Sequence, residues 1–346
     1  MKNNFSFKNF EGVFIVAELS ANHNGSLSTA KETIRAAKRA GANAIKLQTY
    51  TADTLTIKSE KKDFIINNNS IWDGQGYYEL YKKAYTPWEW HKELFAVAKE
   101  EGLICFSTPF DSKAVDFLEV LGNPIYKIAS FEITDIPLIS YIASKKKPII
   151  ISTGIATMED IELAVKTCEN QGNKQISLLK CTSSYPAPIK EANLLMIKDL
   201  ADRFGVISGL SDHTLGITAS IVAVTQGAKI IEKHFIIDKS LGGPDSSFSL
   251  DEKEFTQLVY QIREAEIALG EVNYKLTKNQ KEGRKFSRSL YIVNDVKKDD
   301  LITEKNLRSI RPGLGLHPKY FYQLIGKKFN NNYSKGTRMS LDKVIN

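Results

Sequence analysis

The sequence predicts an α/β protein: a (β/α)8 barrel followed by a small β-rich module. Three observations carry this. Eight short β-branched runs lie within residues 13–270, each followed by a helix-like stretch. The runs are apolar almost throughout, as strands are when helices cover both sheet faces. Beyond Gly270 the texture changes to charged turns and very short strands. A doubly wound sheet is the rival, but it usually carries a glycine-rich first βα turn. Here that turn, Glu18–Gly25, holds one glycine.

The strands are read in order at Val13–Glu18, Asn43–Thr49, Leu103–Thr108, Ile125–Ser130, Pro148–Thr153, Ile176–Thr182, Val206–Asp212 and Lys229–Phe235. Between them run amphipathic segments. Leu27–Ala40 opens on Ser26 as N-cap and closes at Gly41. Pro87–Glu101 closes at Gly102, and Met158–Gln171 at Gly172. The expected domains are a barrel over residues 1–270, a charged linker over 271–285, and a β-rich module over 286–346. Within the module, Ser289–Val293, Leu301–Thr303 and Leu307–Arg311 read as strands. Asn67–Asn69 and Asn330–Asn332 read as loop.

Composition narrows the class. Charged residues are 25% and the net charge is +7, with both signs interleaved, which suits a small anionic substrate at least as well as nucleic acid. Lys61–Lys62 and Lys145–Lys147 sit at element ends as solvated faces, so no nucleic-acid partner is expected. No run approaches the roughly 18 apolar residues of a spanning helix, and the polar N-terminus has no export signal, so no membrane partner is expected. Cys105, Cys168 and Cys181 form no CxxC pair, and a reducing cytoplasm is expected.

In a barrel, chemistry gathers at the C-terminal strand ends. Strand one ends in Glu18, and strand two carries Lys46 and Gln48 on one face. Thr108 ends strand three. Strand four carries Lys127 and Ser130, with Glu132 just beyond. Ser152 ends strand five. Ser183 and Tyr185 follow strand six as candidate substrate contacts, and Ser211 lies on strand seven. Taken singly, a strand-end hydroxyl is usually a helix cap and a lone histidine a core residue. Their convergence favours a site. Lys46 and Lys127 lie in strands a barrel buries, and a buried ammonium demands an anion. With Thr108, Ser130, Ser152 and Ser211 they make a phosphate and carboxylate cradle. His213 and His234 end neighbouring strands and could share a divalent metal, with carboxylate or water completing the shell. Those donors admit manganese, iron, cobalt or zinc.

Eight segments then carry a resemblance. They are AELSANHNGS (Ala17–Ser26), IKLQTY (Ile45–Tyr50), STPF (Ser107–Phe110), YKIASFE (Tyr126–Glu132), ISTG (Ile151–Gly154), GLSDHT (Gly209–Thr214), EKHF (Glu232–Phe235) and IRPGLGLHP (Ile310–Pro318). In this order they resemble the bacterial sialic acid synthase family, the phosphoenolpyruvate-dependent nonulosonic acid synthases. The resemblance implies a metal-dependent TIM barrel joined to a C-terminal antifreeze-like (SAF) domain. It implies condensation of phosphoenolpyruvate with an acylated amino sugar. Ala17–His23, Tyr78–Tyr81, Thr86–His91, Tyr126–Glu132 and Gly315–Pro318 are most similar to the branch that makes pseudaminic acid. The N-acetylneuraminic and legionaminic branches are the alternatives.

Carried over residue by residue, the resemblance makes His213 and His234 the ligands of a divalent cation. Manganese is the first expectation, and magnesium or cobalt is admitted. Lys46, Thr108, Lys127, Ser130, Ser152 and Ser211 become phosphoenolpyruvate contacts, Glu18 a catalytic carboxylate, and Asp245 an acid near the sugar. Arg311 becomes the residue that reaches a partner subunit's site in a domain-swapped homodimer. Ser183 departs from the neuraminate pattern, where asparagine is usual, and its own role is left open. The implied chemistry is attack by phosphoenolpyruvate C3 on a metal-polarised aldehyde, capture of C2 by water, and C–O cleavage. A class I aldolase using a lysine Schiff base and a pure carbohydrate-binding protein are the competing readings. An apolar patch for a 6-deoxy sugar is expected among Trp72, Tyr77, Tyr81 and Phe248.

Overall fold

The computed structural model describes residues 5–67 and 72–345. Asn68 and Asn69 of the first asparagine run lie outside them. The chain forms two compact units, Met1–Gly270 and Glu271–Asn346.

The first unit is a closed barrel of eight parallel strands in chain order. They are β1 (Phe14–Glu18), β2 (Ala44–Thr49), β3 (Ile104–Pro109), β4 (Tyr126–Ile128), β5 (Ile149–Ser152), β6 (Ile176–Cys181), β7 (Ile207–Asp212) and β8 (Ile230–His234). The boundaries differ from the sequence reading chiefly at β4. That strand ends two residues early, and Ser130 opens a 3-10 turn, Ser130–Glu132, instead. The capping chemistry forms where the sequence places it. Ser26 Oγ accepts from Thr29 N at 3.2 Å at the start of the helix Leu27–Arg39. Gly41, Gly102 and Gly172 follow their helices with φ of 89°, 69° and 69°, which a Cβ would resist.

Alternation along each strand divides the residues between two faces. One row packs against the helices, as Ile15, Ala17, Ile45, Leu47, Ile149, Ile151, Leu178 and Ile231 do. The other row fills the barrel. At its base Phe14, Ala44, Phe106, Ile125, Ile150, Leu179 and Ile230 form one apolar cluster. Phe5, Phe7 and Phe10 set their rings 5.3, 5.3 and 5.0 Å from Phe14 and cover that end. Beyond that cluster the same inward row turns polar: Glu18, Lys46, Thr108, Lys127, Ser152, Ser211 and Glu232. Gly209 lets β7 and β8 approach, because a Cβ there would stand 2.1 Å from Ile230 O.

The second unit has two small antiparallel pairs. β9 (Ser289–Ile292) pairs with β10 (Leu307–Ile310), and β11 (Lys328–Phe329) with β12 (Val344–Ile345). Leu290, Ile292, Ile302, Leu307, Phe329 and Met339 form its core. Leu301–Thr303 is not a strand: Leu301 makes a single bridge to Lys328, and Ile302 is buried as a core anchor. The charged segment read as a linker holds a short helix, Lys278–Gly283, which Thr277 and Gln280 open with a capping box.

Candidate active site

The polar rim of the inward row builds one connected site. Lys46 Nζ lies 2.6 Å from Glu18 Oε2 and 3.7 Å from Glu232 Oε1. It also donates to Thr108 Oγ1 at 3.4 Å. Lys127 Nζ donates to Ser152 Oγ at 2.6 Å and to Ile128 O at 3.0 Å, and stands 4.0 Å from Glu232 Oε1. Ser211 Oγ donates to Glu232 Oε1 at 3.1 Å. Gln48 Nε2 donates to Glu18 Oε1 at 2.8 Å and to Ser20 Oγ at 3.0 Å, which fixes the carboxylate on its second oxygen.

This corrects one expectation. The two lysines are not unpaired cations awaiting an anion; Glu18 and Glu232 neutralise them. The sequence reading sets Glu232 on one face with His234, two residues on, but assigns it no role. The two ammonium groups differ. Burial disfavours the charge of both. At Lys46 the paired carboxylates outweigh that and hold its pKa above the usual lysine value. At Lys127 burial prevails and pulls the pKa down. Glu232 is held below the usual carboxylate value: against its burial act Lys46, Lys127, His213 and the Ser211 hydroxyl together.

The remaining candidates gather along one side. A Cβ built on Gly154 would meet Ser183 Oγ at 2.1 Å, Ser130 Oγ at 2.7 Å and Cys181 Sγ at 3.1 Å. Gly154 N donates to Ser130 Oγ at 3.1 Å. The bare glycine thus opens a small cradle lined by two hydroxyls and a thiol. Cys181, which sequence reasoning passed over, lies two residues beyond Leu179 on the inward row. Glu132 is half-buried near Lys127, and its partial burial pushes its carboxyl up to about 7.

The histidine rings stand side by side, their centroids 5.3 Å apart. His213 Nδ1 lies 3.1 Å from Thr182 O, the geometry of an N–H donating to a carbonyl, which leaves Nε2 as the lone-pair nitrogen. His234 is held neutral by burial, its pKa well below the usual histidine value. Its Nδ1 is buried without a hydrogen-bond partner, 3.6 Å from Asp245 Oδ2. Asp245 also accepts from Ala21 N at 3.4 Å, and burial pushes its carboxyl up. Among the described residues no group of three or more His, Cys, Asp or Glu is arranged to hold a metal ion. Two neighbouring imidazoles, one with an orphaned nitrogen, fit an ion that completes its shell with water or substrate oxygens.

Aromatic rings wall this side. Tyr185 lies 4.4 Å from His213 and 5.3 Å from Phe248, and Phe248 lies 5.0 Å from His234. Trp72 stands 5.7 Å from Tyr185. Tyr77 and Tyr81 instead stack on each other at 6.0 Å, with Tyr50 against Tyr81. Arg311 belongs to the second unit, where it is exposed just after β10.

Comparison with known proteins decides the lineage. The NeuB family model matches residues 33–274. The chain belongs to the NeuB family. It is 47% identical over 331 residues to the pseudaminic acid synthase of Campylobacter jejuni subsp. jejuni, covering 96% of each chain. It is 40% identical to the N,N'-diacetyllegionaminic acid synthase of Legionella pneumophila, covering 94% of this chain and 93% of that one. Among solved structures, the N-acetylneuraminic acid synthetase of Leptospira borgpetersenii superposes with a TM-score of 0.70 at 33% identity, over 79% of this chain and 90% of that one. These family members span the three sugar branches, so fold and family do not by themselves choose the acceptor.

Proposed function

We propose that this family member is a pseudaminic acid synthase. It condenses phosphoenolpyruvate with 2,4-diacetamido-2,4,6-trideoxy-altrose and water, giving pseudaminic acid and phosphate. The observation that carries this is the 47% identity, over nearly the full length of both chains, to a pseudaminic acid synthase; the legionaminic relative stands at 40%. Aldolase chemistry through a Schiff base fits less well, because each barrel lysine on the inward rim is matched to a carboxylate or hydroxyl.

The chain's own groups divide the work. Lys46 and Lys127 bind the phosphate and carboxylate of phosphoenolpyruvate through charge-assisted hydrogen bonds, aided by Thr108, Ser130, Ser152 and Ser211. The C2=C3 electron pair of phosphoenolpyruvate forms the new bond from C3 to the aldehyde carbon. The C=O pair moves onto the aldehyde oxygen, which takes up a proton to become a hydroxyl, and C2 is left electron-poor. Water adds at C2, and Glu18, held by Gln48 and Lys46, orients it and takes its proton. The C2–O bond to phosphate then breaks, the phosphate leaves with its electron pair, and C2 becomes the ketone carbon. His213 and His234 hold a divalent cation, manganese first and magnesium or cobalt admitted. When bound, that ion supplies Lewis-acid polarisation of the sugar aldehyde. Asp245 and Tyr185, beside the two histidines, face the sugar side of the site, and Glu132 and Ser183 are further substrate contacts.

The same reading makes the enzyme a homodimer in which Arg311 serves the partner's site. Its support is the resemblance of Ile310–Pro318 and the compactness of Glu271–Asn346 as a unit of its own. The setting is the cytoplasm. Three buried free thiols accord with that, and no helix among the described residues is long and apolar enough to cross a membrane. The test is product analysis by mass spectrometry. The enzyme is given phosphoenolpyruvate with the acceptor sugar of the pseudaminic, legionaminic or N-acetylneuraminic branch. Turnover confined to the pseudaminic acceptor is expected; turnover confined to either of the others overturns the assignment.

A further inference from the structure

On β7 and β8 the residues just before the two histidines point the other way, into the layer between barrel and helices. They are Asp212 and Lys233, partners in the last register pair of that strand ladder. Lys233 Nζ lies 2.8 Å from Asp212 Oδ2, and the two side chains are 1% and 0% exposed. Around the barrel this outer row is otherwise largely apolar. A buried ion pair is a poor way to gain stability, since apolar residues of the same volume commonly hold as well or better. The pair therefore calls for another reason.

Its hydrogen bonds supply one. Asp212 Oδ1 accepts from Thr214 N at 2.9 Å and from Thr214 Oγ1 at 2.8 Å. Asp212 Oδ2 also accepts from Ser220 Oγ at 2.7 Å. Lys233 Nζ donates to Thr214 O at 2.7 Å. His213 is thus bracketed: the residue before it binds the residue after it, and the lysine of the next strand binds both. That lysine is itself the residue before His234. We propose that the Asp212–Lys233 pair is a positioning device that sets the spacing and facing of His213 and His234 as cation donors. Met at 233 would still fill the layer, but it would leave the Thr214 carbonyl and the Asp212 carboxylate short of a partner in a buried place. The strand ends would then drift apart, and the two imidazoles with them. The inference rests on reading those imidazoles as a cation site.

The experiment uses the full-length, metal-free chain and Mn2+ alone as probe. Free Mn2+ is followed by electron paramagnetic resonance. Amide exchange across residues 212–215 is followed by mass spectrometry without metal, alongside the melting temperature. Failure of the wild type to bind Mn2+ counts against the cation reading; the exchange data still judge the pair. Lys233→Met is expected to weaken Mn2+ binding at least tenfold and to speed exchange at Thr214 at least tenfold. The apparent affinity for phosphoenolpyruvate, whose two lysines lie on β2 and β4, should stay within about twofold. Lys233→Arg, which can again reach the carboxylate, should recover most of the Mn2+ affinity. Ser220→Ala, a milder loss at Asp212, should shift binding and exchange in the same direction by a smaller factor, and it stands in should Lys233→Met fail to fold. Unchanged Thr214 exchange in the folded variants overturns the proposal. So does a loss of Mn2+ binding that merely tracks a fall in melting temperature and phosphoenolpyruvate affinity together.

Discussion

Lys46 and Lys127 look interchangeable in the sequence, yet the structure predicts unequal costs for removing them. Consider each changed to Met, which keeps the aliphatic stem and deletes the ammonium. In Lys46→Met, Glu18 loses the cation 2.6 Å away, and Glu232 loses one at 3.7 Å. Two buried carboxylates are left with Lys127 alone, 4.0 Å from Glu232. Breaking a buried ion pair from one side costs about 3–5 kcal/mol. Lys127→Met is different. Its lost bonds go to a hydroxyl and a carbonyl, Ser152 Oγ and Ile128 O, and Glu232 keeps Lys46 and Ser211. Burial already disfavours the Lys127 charge, so its removal also relieves a cost.

Lys127→Met is therefore expected to be at least about 2 kcal/mol more stable than Lys46→Met in the ligand-free state, the lower part of the range for a broken buried pair. Both variants should bind phosphoenolpyruvate worse. Each loses charge-assisted contacts worth about 1.5–3 kcal/mol, or roughly ten- to hundredfold in affinity. The assays are denaturant unfolding of the ligand-free proteins and the apparent KM for phosphoenolpyruvate. Equal destabilisation, or a larger loss in Lys127→Met, would refute the pairing argument. Unchanged KM in both folded variants would refute the cradle.

Three further outcomes are expected. His213→Ala and His234→Ala should each lose bound manganese and turnover together; full activity in a metal-free His234→Ala protein rules out the metal role. The Glu132 carboxyl is raised from its ordinary 4.5 to about 7 by burial. Its stabilising contribution is therefore present below about 4.5 and lost as pH rises through about 7. Melting curves from pH 5 to 8 should show Glu132→Gln gaining on the wild type as pH rises, and a gap independent of pH would exclude this. Finally, Arg311→Ala and Glu18→Ala proteins, each inactive alone, should regain activity when their subunits exchange. Confirmed exchange without activity rules out sites shared between chains.

Much of the fold is legible in the sequence, because two periodicities are clean. Apolar runs at strand length gave the barrel, and period-two alternation put Lys46 with Gln48, and Glu232 with His234, on one face. Pairing distances were not legible. Alternation says that Glu232 points inward; it does not say that Ser211, Lys46 and Lys127 converge on its carboxylate, because that depends on the register between strands. Cys181 was overlooked for the opposite reason: its inward position follows from Leu179, but a buried thiol reads as an ordinary small apolar residue. In the second unit the strands are two to four residues long, too short for alternation to distinguish them from a loop. Leu301–Thr303 reads as a strand there, since one buried isoleucine between two partly exposed neighbours looks the same in a strand or a loop. The helix Lys278–Gly283 was hidden because it buries nothing and is set by its capping box alone.

The arrangement of charges also explains how such a site persists while empty. A cradle for a polyanion needs cations, and a barrel mouth walled by Tyr185 and Phe248 offers them little water. Two buried ammonium groups left to themselves would lose protons or loosen the strands that carry them. Glu18 and Glu232 prevent both, and they come from adjacent strands, β1 and β8, which the register already holds together. The counterions thus come from the same inward row as the cations they serve: Glu18 from the strand beside that of Lys46, and Glu232 on β8 from across the barrel to Lys127 on β4. Neutralisation must nevertheless be incomplete for an anion to bind. The lengthening from 2.6 Å at Glu18–Lys46 to 4.0 Å at Glu232–Lys127 leaves the second ammonium the less well satisfied of the two. An incoming phosphate or carboxylate therefore has most to offer at Lys127, where burial is the least compensated.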